Sequence, residues 1–264
     1  MTLLEPVATE AVIARVNPVA KLLAAVVLTV ALVLSIDWVS AGVALLLEAA
    51  LLRFAGLSFG QFWRRTVALW IAAPLSIVAT GLYGRVSGEV FWHAGVITVS
   101  AGSLSLAFAI GLRVLAIGIP GIVLFATTDP TDLADGLAQV LRLPSRFVLG
   151  GLAGVRLVGL FLDDWRQLAL ARRARGVSDV GGPLGAVRRL GGQAFSLLVL
   201  SVRRGSKLAT AMEARGFGSD TPRTWARPST FGSREALLVA VGALIAAIAI
   251  TVAVLAGTWS FVLA

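Results

Sequence analysis

The sequence predicts an all-α, polytopic membrane protein with about five transmembrane helices and a cytoplasmic module of long helices. Three observations predict it. Hydrophobic residues make up 58% of the 264 and charged residues only 14%, against roughly 25% charged in soluble domains, and mean hydropathy is +0.90. Five apolar runs approach the length of about 20 residues that a membrane helix needs. The charge is concentrated: residues 128–234 hold 16 of the 23 Lys and Arg and 8 of the 14 Asp and Glu, which is +8 of the net +9.

Met1 to Val16 contains Glu5 and Glu10 and lacks the charged, apolar and small-residue order of a secretory signal, so the first apolar run is expected to be kept. The expected spans run approximately from Val19 to Ile36, Val39 to Phe54, Val67 to Tyr83, Leu104 to Thr127 and Ala236 to Trp259. The second is short, with a turn at Asp37-Trp38 before it and Arg53 as an anchor after it. Between the third and fourth, "VFWHAGVITV" (90–99) is too short to cross and reads as an interfacial or re-entrant piece, with Trp92 at the headgroup level and His93 an interfacial residue rather than a ligand.

Cytoplasmic loops accumulate Lys and Arg. Arg15 and Lys21 before span one, and Arg53, Arg64 and Arg65 between spans two and three, therefore place both segments inside. Asp37 and Glu89 fall outside. The domain reading is four membrane helices in 1–127, a cytoplasmic coupling-helix region in 128–234 and a final membrane helix in 235–264. The basic helices carry no nucleic-acid reader motif, so contact with the lipid bilayer explains their charge better than nucleic acid does.

Within the cytoplasmic region, Asp129 can cap a short helix that has Pro130 in its first turn and ends before Leu143-Pro144. Two long helices follow, from about Ser145 to Arg175 and from about Gly185 to Arg215, each closed by a glycine, Gly176 or Gly216. At 1.5 Å per residue each is about 45 Å long. Phe147 to Leu162 is apolar apart from Arg156 and resembles a sixth span, but crossing there would put Arg175 outside unless the short "GGQAFSLLVLSV", with its Gln193, crossed back.

The two long helices end in nearly the same word. "LALARRARG" (168–176) and "LATAMEARG" (208–216) agree at six of nine positions. Taken singly, Arg175 and Arg215 could simply finish helices. Repetition, and the neighbouring Arg172, Arg173, Arg203, Arg204 and Lys207, favour docking, since a guanidinium is always charged and binds carboxylates bidentately. Two equal tips imply two equal receptor grooves, which a dimeric ATPase supplies. The chain has no G-x-x-x-x-G-K-[ST] loop of its own, and "RRGSK" lacks the upstream glycine.

On these residues the chain resembles the transmembrane T component of energy-coupling factor (ECF) transporters, the family of cobalt and biotin transporter membrane subunits. The resemblance is carried by "NPVAKL" (17–22), "TTDPTDLADGL" (127–137), "ARRARG" (171–176) and "RRGSKLATAMEARGFG" (203–218). It implies that Ala174, Arg175 and Gly176, and Ala214, Arg215 and Gly216, are two signatures docking on two ABC-type ATPase subunits. It also implies that the membrane helices hold a small substrate-binding S component for a vitamin or metal ion, which topples when the ATPases close. The chain would be a non-catalytic subunit without a cofactor, and "VFWHAGVITV" carries no role in this picture. A stand-alone secondary transporter, the alternative, should repeat its membrane half; the only repeat here is in the basic region.

Within the membrane, Arg113 is costly and so a functional candidate, or else an internal ion pair for which Glu48 is the available partner. Gly118, Pro120 and Gly121 are expected to kink span four, and Gly242 with Ala246 to permit a close helix contact in span five.

Overall fold

The computed structural model describes residues 13–52, 56–94, 97–176, 182–219 and 224–260. It is helical almost throughout. The elements are α1 (Pro18–Val33), α2 (Trp38–Leu51), α3 (Phe59–Tyr83), a hairpin of β1 (Val90–Ala94) and β2 (Ile97–Ser100), α4 (Ala101–Ala126), α5 (Pro130–Gln139), α6 (Ser145–Ala174), α7 (Gly182–Ala214) and α8 (Ser233–Leu255). The chain forms two compact units: residues up to Gly136 together with those from Ser229 onward, and the inserted segment Leu137–Pro228. The residues after α4 are bonded to the start of α1, as described below.

In the first unit, α4 packs against α1, α2 and α3, while α8 packs against α1 and α2. The core is built from small side chains. Leu28 and Leu32 of α1, Ala44 of α2, Ala116 of α4, and Ile245, Ala246 and Ala249 of α8 form one buried cluster; Ala73, Leu115 and Ile119 form a second. Small residues let helix backbones approach closely, which gives membrane helices dispersion contact where no hydrophobic drive separates them from lipid. Gly242 and Ala246 do this for α8, as expected: a Cβ at Gly242 would stand 3.0 Å from Ala24 Cβ and 3.1 Å from its backbone. Gly118 likewise lies under the Leu69 side chain, and α4 continues through Pro120 to Ala126.

The five expected spans each coincide with a helix. Arg53 and Phe54, at the end of the second, lie outside the described residues. Span three begins eight residues earlier than its apolar run, because Ser58 and Gln61 form a capping box that starts α3 at Phe59 and takes Arg64 and Arg65 into the helix. Among the described residues, α3, α4, α6 and α8 are long and apolar enough to cross a membrane by length and composition, whereas α1 and α2 are shorter apolar helices. At 16 and 14 residues, these two extend only about 24 and 21 Å. Both pack against the longer α4 and α8.

Hydrogen bonds sort the ends of the first unit. Lys21 of α1 reaches the end of α4, and Asn17 reaches the segment that starts α8. At the opposite end, Ile36 and Ser260 exchange two bonds of 2.9 and 2.6 Å, tying the turn between α1 and α2 to the exit of α8. The start of α1 thus lies with the end of α4 and the start of α8, and the turn after α1 with the exit of α8.

The segment 90–99, expected to be an interfacial or re-entrant piece, pairs as an antiparallel hairpin with His93 opposite Thr98 and a bulge between Val90 and Trp92. Its β-branched and aromatic residues suit a strand. Val90, Phe91 and Trp92 are exposed, and Ser100 ends the hairpin by capping α4 through the Ser103 N–H.

The expected pairing of Glu48 with Arg113 does not occur. Both Glu48 carboxylate oxygens, and Nε and Nη2 of Arg113, are buried without a hydrogen-bond partner. Helix register is the reason. Glu48 lines an apolar cavity with Ile119 and Pro120 of α4, about 9 Å further along that helix than Arg113.

Two capped helix ends form the candidate docking site

The inserted unit is built on α6 and α7. Pro144 precedes α6, and Arg142, at φ 53°, turns the chain between α5 and α6 as the break at Leu143-Pro144 predicted. Three contacts hold the pair together. Arg204 of α7 forms a bidentate bridge to Asp164 of α6, at 2.6 and 3.2 Å. Gln193, 8% exposed, donates to the Trp165 carbonyl at 2.8 Å, and Arg172 donates to the Arg189 carbonyl at 3.0 Å. Two of the five supporting basic residues, Arg172 and Arg204, are therefore engaged within the unit. Arg173, Arg203 and Lys207 are exposed.

Both helix ends turn at a glycine with positive φ. At the end of α7, the Gly216 N–H donates to the Glu213 carbonyl at 2.9 Å and the Phe217 N–H to the Met212 carbonyl at 3.0 Å. This crossed pair is a Schellman motif, which satisfies carbonyls that the helix leaves free. It requires the left-handed backbone that Gly216 adopts at φ 76°. At the end of α6, Gly176 at φ 70° makes the equivalent bond to the Arg173 carbonyl, 2.9 Å; the residue that would complete the motif lies outside the described residues. Arg175 and Arg215 each sit one position beyond the last helical residue, at the cap rather than in the last turn.

Ala174, Arg175, Gly176, Ala214, Arg215 and Gly216 are all exposed. Among the described residues, neither the Arg175 nor the Arg215 side chain makes an ion pair or hydrogen bond. The glycine turns thus fix the backbone while the two guanidiniums are left open to an external acceptor. The Arg172 contact brings the end of α6 beside Arg189, near the start of α7. Arg215 lies 26 residues further on, about 39 Å along the axis of α7.

Residues 9–224 match the CbiQ family, described as cobalt transport protein. The match covers most of the chain and takes in both helix ends. The chain belongs to this family, the T components of ECF transporters. Similar proteins carry the same name, energy-coupling factor transporter transmembrane protein EcfT. One from Limosilactobacillus fermentum is 29% identical over 214 residues, 75% of this chain and 80% of that protein. Another, from Bacillus selenitireducens, is 29% identical over 255 residues, 90% and 91% of the two chains. A third, from Lactococcus lactis, is 28% identical over 239 residues, 87% and 89%.

The T component is thus a membrane protein and a membrane component of an ECF transporter. Sequence reasoning missed Asp164 and Gln193, the acceptor and donor that hold α6 to α7. A signal for Asp164 was present: Asp163-Asp164 closes the apolar run of α6 forty residues before Arg204, the same interval that separates the two repeated words.

Proposed function

We propose that this T component is the scaffold and coupling subunit of an ECF-type importer in the plasma membrane. Its two Ala-Arg-Gly ends dock on two ABC-type ATPase subunits, and its membrane helices carry a small substrate-binding S component for a vitamin or metal ion. ATP hydrolysis belongs to the partners. The charge asymmetry supports a cytoplasmic placement for the inserted unit, because +8 of the net charge lies in 128–234.

The observation that carries the reading is the pair of free, exposed arginines, Arg175 and Arg215, each held at a glycine-capped helix end. A carboxylate in a receptor groove can take such a guanidinium bidentately without first breaking an internal bond. Closure of two ATPase subunits on nucleotide would then move two separated tips of one rigid helix pair, and the S component would reorient with them.

Charge reversal tests this. The double variant Arg175→Glu, Arg215→Glu should insert normally and lose copurification of the ATPase subunits and coupled uptake, by tenfold or more. Uptake at the wild-type level by that variant would refute the docking role.

A further inference from the structure

Leu137–Pro228 is inserted into the other unit, so the chain leaves that unit at Gly136 and returns to it at Ser229. Whatever passes between the units along the backbone passes through these two places. Both belong to one polar knot centred on Asn17.

Asn17 Oδ1 accepts from the Val19 N–H at 3.0 Å and so caps α1. Serine or aspartate could cap as well. What the amide adds is a pair of donors, and both are used on the returning chain: Nδ2 donates to Ser229 Oγ and to the Thr230 carbonyl, each at 2.8 Å. The Asn17 N–H points to Glu235 Oε1 at 3.4 Å, and Glu235 Oε2 takes the Gly232 N–H at 2.9 Å, fixing the start of α8.

The departing chain is held at the same point. A Cβ on buried Gly136 would lie 2.7 Å from Val19 Cγ2, 3.1 Å from Asn17 Oδ1 and 3.5 Å from Ser229 Oγ, so only glycine permits the approach. One turn along α1, Lys21 Nζ donates to the Thr127 carbonyl at 2.8 Å, with the Thr127 and Thr128 hydroxyls at 3.4 and 3.5 Å. The first turn of α1 therefore gathers the end of α4, the exit at Gly136, the return at Ser229 and the start of α8.

We propose that Asn17 is a positioning residue that locks the two connections into a single pivot, so that displacement of the inserted unit reaches the membrane helices as movement of one joint. Two untied linkers would absorb the same displacement in independent rotations. The mechanical part of this inference stands on the geometry alone; its consequence for transport rests on the coupling role proposed above.

Asn17→Asp separates the two jobs of the side chain, keeping the capping oxygen and losing both donors. The chain has no cysteine, so spin labels on cysteines introduced at exposed Val78 in α3 and Ser206 in α7 report the two units of the T component alone in nanodiscs. Asn17→Asp should give a distance distribution at least twice as wide as that of the wild type. Gly136→Ala should broaden it in the same way through a different residue. Unchanged widths in both variants would overturn the inference.

In the assembled transporter, Asn17→Asp should retain its ATPase subunits, hydrolyse ATP within twofold of the wild-type rate, and take up at least fivefold less substrate per ATP. Wild-type uptake per ATP would overturn the pivot, and so would failure to assemble, which would make Asn17 a purely structural residue. A wild-type chain that recruits no ATPase would count against the coupling role instead, and the label distances would still decide whether Asn17 locks the junction.

Discussion

At Gly216 the backbone holds φ 76°, and the nearest atom to a Cβ placed there would be Ser219 Oγ at 3.7 Å. Gly216→Ala therefore adds strain without a clash. The expected cost is about 1 kcal/mol, roughly fivefold in local opening. Amide hydrogen exchange at Gly216 and Phe217 checks it, and protection equal to wild type would show that the turn does not need glycine. Arg204 and Asp164 make a different case. Their side chains are 39% and 15% exposed, so water screens part of the attraction. A double-mutant cycle with Arg204→Ala and Asp164→Ala should give a coupling of about 1 kcal/mol, from the bidentate geometry, and the partial exposure argues against a much larger value. Of these residues, the sequence marked the glycines and Arg204 but not the acceptor, because a partner forty residues away is fixed by how two helices cross and not by either helix alone.

Among the elements, α8 packs backbone against backbone at a missing side chain. Gly242→Leu must push α8 away from the Ala24 backbone and should lower stability by about 1–3 kcal/mol. Gly121→Leu is the control, since nothing lies within 4 Å of its Cβ position, and it should change stability by less than about 0.5 kcal/mol. Thermal unfolding in detergent distinguishes them; equal midpoints for the two variants would contradict the close contact. The helices themselves were readable. Apolar run length located the spans, and local chemistry fixed several ends: Asp129 with Pro130 begins α5, Pro144 precedes α6, and glycine follows α6 and α7. The start of α3 was misplaced because a polar cap, Ser58 with Gln61, extends that helix beyond its apolar run. The hairpin at 90–100 went unrecognised because a ten-residue apolar run has the same composition whether it pairs with itself or inserts. The Glu48–Arg113 pairing failed for a related reason: register between α2 and α4 depends on which small residues interlock, and chain order carries no record of it.

At the scale of the whole molecule, the arrangement joins an apolar bundle to a basic inserted unit through two backbone connections gathered at one place. The candidate docking residues were legible from the repeated words alone, since packing gives two different helices no reason to end in the same exposed motif. The hydrogen bonds of Asn17 to the returning chain were not legible. "NPVAKL" showed that something began at residue 17, yet the partners Ser229 and Thr230 lie more than two hundred residues away, and only the closed bundle brings them together. Docking on a pair of ATPase subunits requires above all that both helix ends face the same side of the membrane. The chain's lack of cysteine makes that directly measurable: single cysteines placed at 175, at 215 and at exposed Trp92, labelled with a membrane-impermeant maleimide in right-side-out and in inside-out vesicles. Positions 175 and 215 should both react only in inside-out vesicles, and position 92 only in right-side-out ones; reaction of 175 and 215 from opposite sides would contradict the docking role.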